Sequence, residues 1–190
     1  MSETEPSDRE LILRYQQDRD EASLRLLFGR HFGAVHGFLL RFLGSTHDAD
    51  DLTQETLIKA WRQLKQFRLD GNFRSWLFGI ARHAALDWLR KRRDRSFSSF
   101  EDDYGNNPLA DNLEDDADLP EVALDAAVAA TELQSALNKL PPPFREVVVL
   151  RHQNELTFEE LGEILKEPLN TVKSRYRRAV LALRKLMTPP

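Results

Sequence analysis

The stretch LTFEELGEILKEPLNTVKSRYRRAVLALRKL, residues 156–186, encodes a helix, a short break and a second helix in a form that spacing alone reveals. Thr157 and Glu160 have the Thr-x-x-Glu spacing of a capping box, which predicts a helix from Thr157 to about Lys166. Phe158, Leu161 and Leu165 give that helix one apolar face. Pro168 breaks the chain, and Asn170 or Thr171 is expected to cap a second helix running to about Met187. The second helix carries Lys173, Arg175, Arg177, Arg178, Arg184 and Lys185 and no acid, while Val172, Tyr176, Val180 and Leu183 can turn inward. Such a helix suits the DNA major groove, where its first turns reach base edges and flanking cations hold phosphates. A solvated basic face on a small bundle explains the charge but not the capped helix just before it.

Upstream the periodicity is again helical, and no stretch alternates as a half-buried strand does. EVALDAAVAATELQSALNKL, residues 121–140, reads as a helix stopped by Pro141, Pro142 and Pro143, and Phe144 to about Gln153 reads as another. Near the N-terminus, Ser7 and Glu10 form a second capping-box spacing. Leu24, Leu27, Phe28, His31, Val35, Phe38, Leu39 and Phe42 then make one apolar stripe that ends at Gly44. Leu57, Trp61 and Leu64 mark a helix from about Asp48 to Phe67, and the turn RLDGN follows. Trp76, Leu77, Ile80, Ala81, Ala84 and Trp88 mark a further helix that runs into RKRRDR. The expected fold is all-α: two small helical domains, residues 1–95 and 125–190, joined by a flexible acidic linker over residues 96–124.

The net charge of −4 hides a division into +3 over residues 1–100, −9 over residues 101–121 and +2 over residues 122–190. The overall acidity therefore says nothing against a polyanionic partner. No cysteine is present, which excludes disulfides and thiolate metal sites and fits a reducing compartment. The polar start and the absence of a long apolar run lead us to expect a cytoplasmic protein with no membrane insertion.

Two further clusters could carry function. RHAALDWLRKRRDR places Arg82, Arg90, Lys91, Arg92, Arg93 and Arg95 around Trp88, after Phe73 and Trp76. Cations beside aromatic faces are what unstacked bases and a single-stranded backbone require, although a helix end whose charge favours its own dipole would look the same. DADDLTQETLIKAW places Asp48, Asp50, Asp51 and Glu55 at a helix start. Carboxylates there are favoured by the helix dipole and can dock on a basic protein surface. A Mg²⁺-dependent nuclease on the same acids lacks a phosphate-cradling glycine loop, and the five histidines show no ligand spacing. No metal, cofactor or enzymatic activity is expected.

Three blocks in order, DADDLTQETLIKAWRQLKQF, FRSWLFGIARHAALDWLRKRR and LPPPFREVVVLRHQNELTFEELGEILKEPLNTVKSRYRRAVLALRK, resemble a bacterial RNA polymerase sigma factor of the extracytoplasmic-function type. The resemblance implies a subunit without catalysis of its own that directs core polymerase to promoters. Its partners would be core polymerase, through the largest-subunit coiled coil and the flap region, promoter DNA and an anti-sigma factor. It assigns polymerase binding to Asp48, Asp51, Gln54 and Glu55. It assigns the minus-10 element to Gly71, Asn72 and Phe73, which would border a pocket for a flipped base, and to Arg82, His83, Arg90 and Arg92 along the strand. Trp76 and Trp88 can instead be core anchors, the reading preferred for Trp76. The minus-35 duplex would meet Lys173, Ser174, Arg177 and Arg178, with Arg175 on a phosphate or on its own domain.

His83 stands where the family commonly has asparagine, which alters the edge offered to a flipped base. Lys166 and Asn170 stand where glycines are common. Asn tolerates a positive φ, so the change is expected to be silent at Asn170, and Lys166 becomes a candidate phosphate contact. The acidic run at residues 101–121 could span about 70 Å at roughly 3.3 Å per residue. Two roles fit it: a charged spacer, or a mimic of the transcript's charge in the polymerase RNA channel. The alternative to the whole reading is a conventional helix-turn-helix regulator that binds duplex DNA as a dimer.

Overall fold

The computed structural model describes residues 5–95, 128–153 and 156–187, and the acidic run lies outside them. Among the described residues all regular structure is helical: α1 (Asp8–Asp18), α2 (Glu21–Leu43), α3 (Thr46–Leu64), α4 (Phe73–Arg95), α5 (Val128–Lys139), α6 (Pro142–Gln153), α7 (Phe158–Leu165) and α8 (Leu169–Met187). Both capping boxes form, Ser7 with Glu10 and Thr157 with Glu160. Gly44 ends α2 in the left-handed conformation, φ 72°, where a β-carbon is disfavoured.

Several boundaries differ from the sequence expectation for local reasons. Helix α3 begins two residues before Asp48 because Ser45 supplies the cap, its hydroxyl accepting from the Asp48 amide at 3.4 Å. Helix α6 begins at Pro142, not Phe144; a proline in the first turn forfeits no helical hydrogen bond. Helix α8 begins at Leu169, and the Pro168 carbonyl accepts from the Val172 amide at 3.1 Å, so neither Asn170 nor Thr171 is the cap.

Helix α2 is the axis of the N-terminal half, packed by α1, α3 and α4. Leu27, Val35, Phe38, Leu39 and Phe42 are fully buried along its inner face, and Phe38 stacks on Phe42 and meets the edge of Phe78 from α4. In the C-terminal half α8 lies against α6, α7 and α5, burying Val147, Leu150, Leu161, Val172, Tyr176 and Val180. The two halves also pack on each other, α6 and α5 against α2 and α7 against α4.

At the other end, Asp8 ties α1 to α2 by accepting from Arg30 and meeting His31 Nε2, both at 2.5 Å. Burial raises the Asp8 pKa, but hydrogen bonding and charge from His31, and then from Arg30, outweigh it and leave the carboxyl below its usual value. A depressed carboxylate stabilises the fold at pH values above its unfolded pKa and ceases to do so as pH falls through the folded value. Asp8→Asn is therefore expected to lower the unfolding free energy by about 1–2 kcal/mol at neutral pH, in line with a lost charged hydrogen bond. Denaturant titrations across the acid range should show the difference from wild type shrinking as pH drops through the range below about 4, where Asp8 itself becomes protonated.

Candidate nucleic-acid and protein interfaces

Helix α3 turns Leu52, Thr53, Thr56, Ala60 and Leu64 inward, which leaves Asp51, Gln54, Glu55, Ile58 and Trp61 on one outward face. Asp48 is half-buried beside them. Glu55 pairs with Lys59 at 2.6 Å and Asp51 with His47 at 3.3 Å. Ile58 and Trp61 are 46% and 48% exposed. The Trp61 indole is fixed by donating to the Tyr15 hydroxyl at 2.7 Å. A held, half-exposed tryptophan beside acids has the composition of a protein-binding surface. The sequence reading used Trp61 only to mark the helix and gave it no role; the available signal was that Thr53, Thr56 and Ala60, not Trp61, complete the buried repeat.

Helix α4 is started by Asn72, whose side-chain oxygen accepts from the Ser75 amide at 3.0 Å. The loop before it is tight: a β-carbon at Gly71 would lie 3.3 Å from the Arg68 carbonyl. Phe73 is buried, its ring against His31, Phe67 and Trp76, so it shapes the wall behind the loop and offers no face to solvent. Trp76 is half-buried and tilted over Phe67 with ring centres 5.0 Å apart. In front of this wall lies a cavity of about 720 Å³ bordered by Gln63, Gln66, Gly71, Asn72, Trp76 and His83 on one side and by Glu163, Ile164 and Lys166 of the C-terminal half on the other. His83 Nδ1 is 2.6 Å from the Gly79 carbonyl, which can only accept. Nδ1 is therefore the donor in this contact.

The cations of α4 are placed differently from one another. Arg90 is exposed and meets Asp87 at 3.1 Å, and Arg92 lies 5.0 Å over the Trp88 ring. Arg82 turns toward the C-terminal half: its Nε and Nη2 donate to Glu146 of α6 at 2.9 and 3.3 Å. Glu146 is 2% exposed, and burial leaves its carboxyl above the usual value even though Arg82, and then Arg175, lower it. Arg175 of α8 reaches the same carboxylate at 4.0 Å and Glu167 at 2.7 Å, so it serves its own fold. Next to Glu146, Arg145 donates to the carbonyls of Phe42, Asn138 and Leu140 at 2.8, 2.7 and 3.1 Å. Sequence reasoning assigned neither residue a role, although two opposite charges inside the apolar run 144–150 were a visible sign of a buried pair.

On α8, Lys173, Ser174, Arg177 and Arg178 are half-buried, and Lys173 Nζ sits 5.9 Å from the centre of the Phe158 ring. Asn170, Thr171, Ser174 and Arg178 line a concavity of about 360 Å³ with Phe144. The turn before α8 departs from the expectation in one respect: Asn170 is helical, and the positive φ falls on Lys166, at 56°. Lys166 ends α7 by donating its backbone N–H to Gly162, whose carbonyl also accepts from Glu167 at 3.1 Å. A β-carbon on Gly162 would sit 3.1 Å from the Glu167 carbonyl, which explains a glycine inside α7. Among the described residues no group of side chains could hold a metal ion, and no helix is long and apolar enough to cross a membrane.

A capped helix-turn-helix with a basic second helix, beside a helical unit with an aromatic cavity and a second basic helix, defines a nucleic-acid-binding protein of the transcription machinery. Residues 27–95 match Sigma-70 region 2 and residues 136–185 match Sigma-70 region 4. The chain is 34% identical over 153 residues to the ECF RNA polymerase sigma factor SigW of Bacillus subtilis, covering 80% of this chain and 81% of that one. It is 31% identical over 175 residues to the ECF RNA polymerase sigma-E factor of Haemophilus influenzae, covering 91% of each. The structure is similar to that of CnrH in complex with the cytosolic domain of CnrY, with TM-score 0.70, 25% identity and 95% and 96% coverage. It is also similar to the sigma factor RpoE in complex with the anti-sigma factor NepR from Bartonella quintana, with TM-score 0.65, 25% identity and 89% and 97% coverage. The chain belongs to the ECF sigma factors of RNA polymerase, non-enzymatic initiation factors that direct the polymerase to promoters. A dimeric helix-turn-helix regulator is excluded by the region 2 match across the half that a regulator would devote to sensing.

The left-handed Lys166 carries a steric penalty of about 1–2 kcal/mol that glycine lacks. Lys166→Gly should therefore raise the unfolding free energy by a few tenths to about 1 kcal/mol after the added chain entropy of glycine is subtracted, which a denaturant titration reads directly.

Proposed function

We propose that three surfaces divide the work of promoter recognition. The acidic and apolar face of α3, with Asp48, Asp51, Gln54, Glu55, Ile58 and Trp61, docks on core polymerase. The cavity bordered by Gly71, Asn72 and His83 takes an unpaired base of the minus-10 element, with Arg82, Arg90 and Arg92 along the strand. The first turns of α8, through Lys173, Ser174, Arg177 and Arg178, read the minus-35 duplex. The two units, residues 1–95 and 125–190, act at separate promoter elements, and residues 96–124 join them. The protein works in the cytoplasm, needs no cofactor and carries out no bond-making step of its own.

The observation that carries this reading is the cavity of about 720 Å³, backed by Phe67, Phe73 and Trp76 and opening beside the basic helix α4. A base removed from the stack loses a few kcal/mol, which an existing aromatic-walled pocket and nearby cations offset. An anti-sigma partner is proposed because the two structural relatives above are complexes, one with the anti-sigma factor NepR and one with the cytosolic domain of CnrY.

Run-off transcription with core polymerase on a randomised promoter library tests the whole scheme. A motif selected only when core and this protein are both present is the expected result, and tight sequence-specific binding to duplex DNA without core would contradict it. Trp61→Ala should weaken core binding by about tenfold or more, as loss of an aromatic anchor does, while far-UV circular dichroism stays unchanged. On the same library, His83→Asn should change the base preferred at one minus-10 position and leave the minus-35 motif as it was.

A further inference from the structure

Helix α1 reaches the base cavity from behind, through residues that belong to none of the three surfaces above. The side-chain amide of Gln16 donates to two backbone carbonyls at the end of α3, Leu64 and Phe67, each at 2.9 Å. A carbonyl can only accept, so the amide nitrogen is the atom that faces them and both of its hydrogens are used. The last carbonyls of a helix have no partner within it, and the turn that follows this helix end leads into the cavity wall. The Phe67 ring lies against Phe73 and Trp76, with ring centres 5.6 and 5.0 Å away, and 3.5 Å from where a β-carbon on Gly71 would stand. The position of Phe67 therefore sets both the rear of the cavity and the loop at its rim. Near its start α1 carries Asp8, which meets His31, and the His31 ring meets Phe73 with centres 5.3 Å apart. Two of the three wall rings are thus referred to one helix.

We propose that Gln16 is a positioning residue for minus-10 selection: without touching DNA, it fixes the Phe67 backbone and hence the ring that backs the unpaired base. The proposal rests on the base-cavity assignment above and adds to it a residue from α1. The turn's own hydrogen bonds, from the Gln66 amide to Gln63 at 2.9 Å and from the Phe67 amide to Leu64 at 3.1 Å, join atoms of α3 and its turn alone. They shape the turn but do not place it against the rest of the bundle. Gln16 does so across 48 and 51 positions of sequence, from a helix rather than a loop. A pocket that tells one base from another depends on walls held to a fraction of an ångström, which supporting hydrogen bonds from rigid elements supply. The neighbouring Tyr15 accepts from Trp61, so one turn of α1 fixes the docking tryptophan through one residue and the cavity wall through the next. The two effects are separable because different side chains carry them.

The experiment uses holoenzyme reconstituted from core polymerase and the full chain, on the library-selected promoter and on templates with each single-base change in its minus-10 and minus-35 elements. Gln16→Met keeps the length and helix propensity of the side chain and removes both donors. Gln16→Lys returns a donor. In Gln16→Met the ratio of run-off rates between the preferred base and its substitutes should fall by about threefold or more at one minus-10 position, as a loosened wall reads the base less sharply. Minus-35 ratios and core affinity should match wild type, and Gln16→Lys should recover most of the lost minus-10 ratio. A smaller folded fraction lowers all rates together and leaves the ratios alone, so a merely structural role would not move them. Wild-type ratios in folded Gln16→Met overturn the proposal, and so does a loss shared equally by the two elements. His83→Asn, run in parallel, separates the two claims. A changed minus-10 ratio in His83→Asn beside wild-type ratios in Gln16→Met overturns the role of Gln16 alone, whereas ratios unchanged in both overturn the base cavity with it.

Discussion

A charge taken out of water must be met by an opposite charge or by hydrogen-bonding groups, and the arrangement of this protein turns on that requirement at Arg145 and Glu146. The two are neighbours on α6, both at most 9% exposed, and they face different structures. Arg145 gathers the ends of α2 and α5, where helix carbonyls lack partners and a cation is favoured. Glu146 gathers a guanidinium from α4 and approaches one from α8. Four helices from both halves are thus referred to one turn of a fifth. Apolar packing alone would let the halves slide; the directional charges give them one register.

Much of the fold was legible because local signals agreed with one another. Ser7 with Glu10 and Thr157 with Glu160 announce helix starts by side-chain geometry that needs no tertiary contact. The stripe from Leu24 to Phe42 and the stop at Gly44 follow from the helical repeat and from the freedom of glycine at a positive φ. Where two prolines could either end or begin a helix, at 142 and 143, the chain gave no local means of choosing, and packing of α6 against α2 and α8 decided it. Asn170 and Lys166 show the same limit. Either could tolerate the bend, and the carbonyl of Gly162 selects Lys166 by accepting two successive amides.

The site was legible by residue type and less so by placement. The acids of α3, the cations of α4 up to Arg92 and those of α8 lie on outward or half-buried faces, as the helical repeat requires. What spacing could not supply was the partner of each cation. Arg82 and Arg92 are ten residues apart on one helix, yet one is held by a carboxylate 64 positions downstream and the other rests on the ring of Trp88. Trp61 was hidden for a related reason: an aromatic at the edge of a stripe has the same spacing whether it turns in or out, and its bond to Tyr15 comes from a residue 46 positions away.

The contact between Arg145 and the Phe42 carbonyl joins residues 103 positions apart. Contacts of such sequence separation must await loop closure, whereas the helical pairings within α1–α4 are local and quick to form. A chain made from its N-terminus completes α1–α4 before Arg145 and Glu146, which bind the end of α2 and Arg82, have been synthesised. Every molecule therefore passes through a stage in which α2 ends in solvent and Arg82 has no Glu146 to meet. The N-terminal helices are the first part the ribosome releases, and the packing that covers α2 and α4 arrives with the last third of the chain.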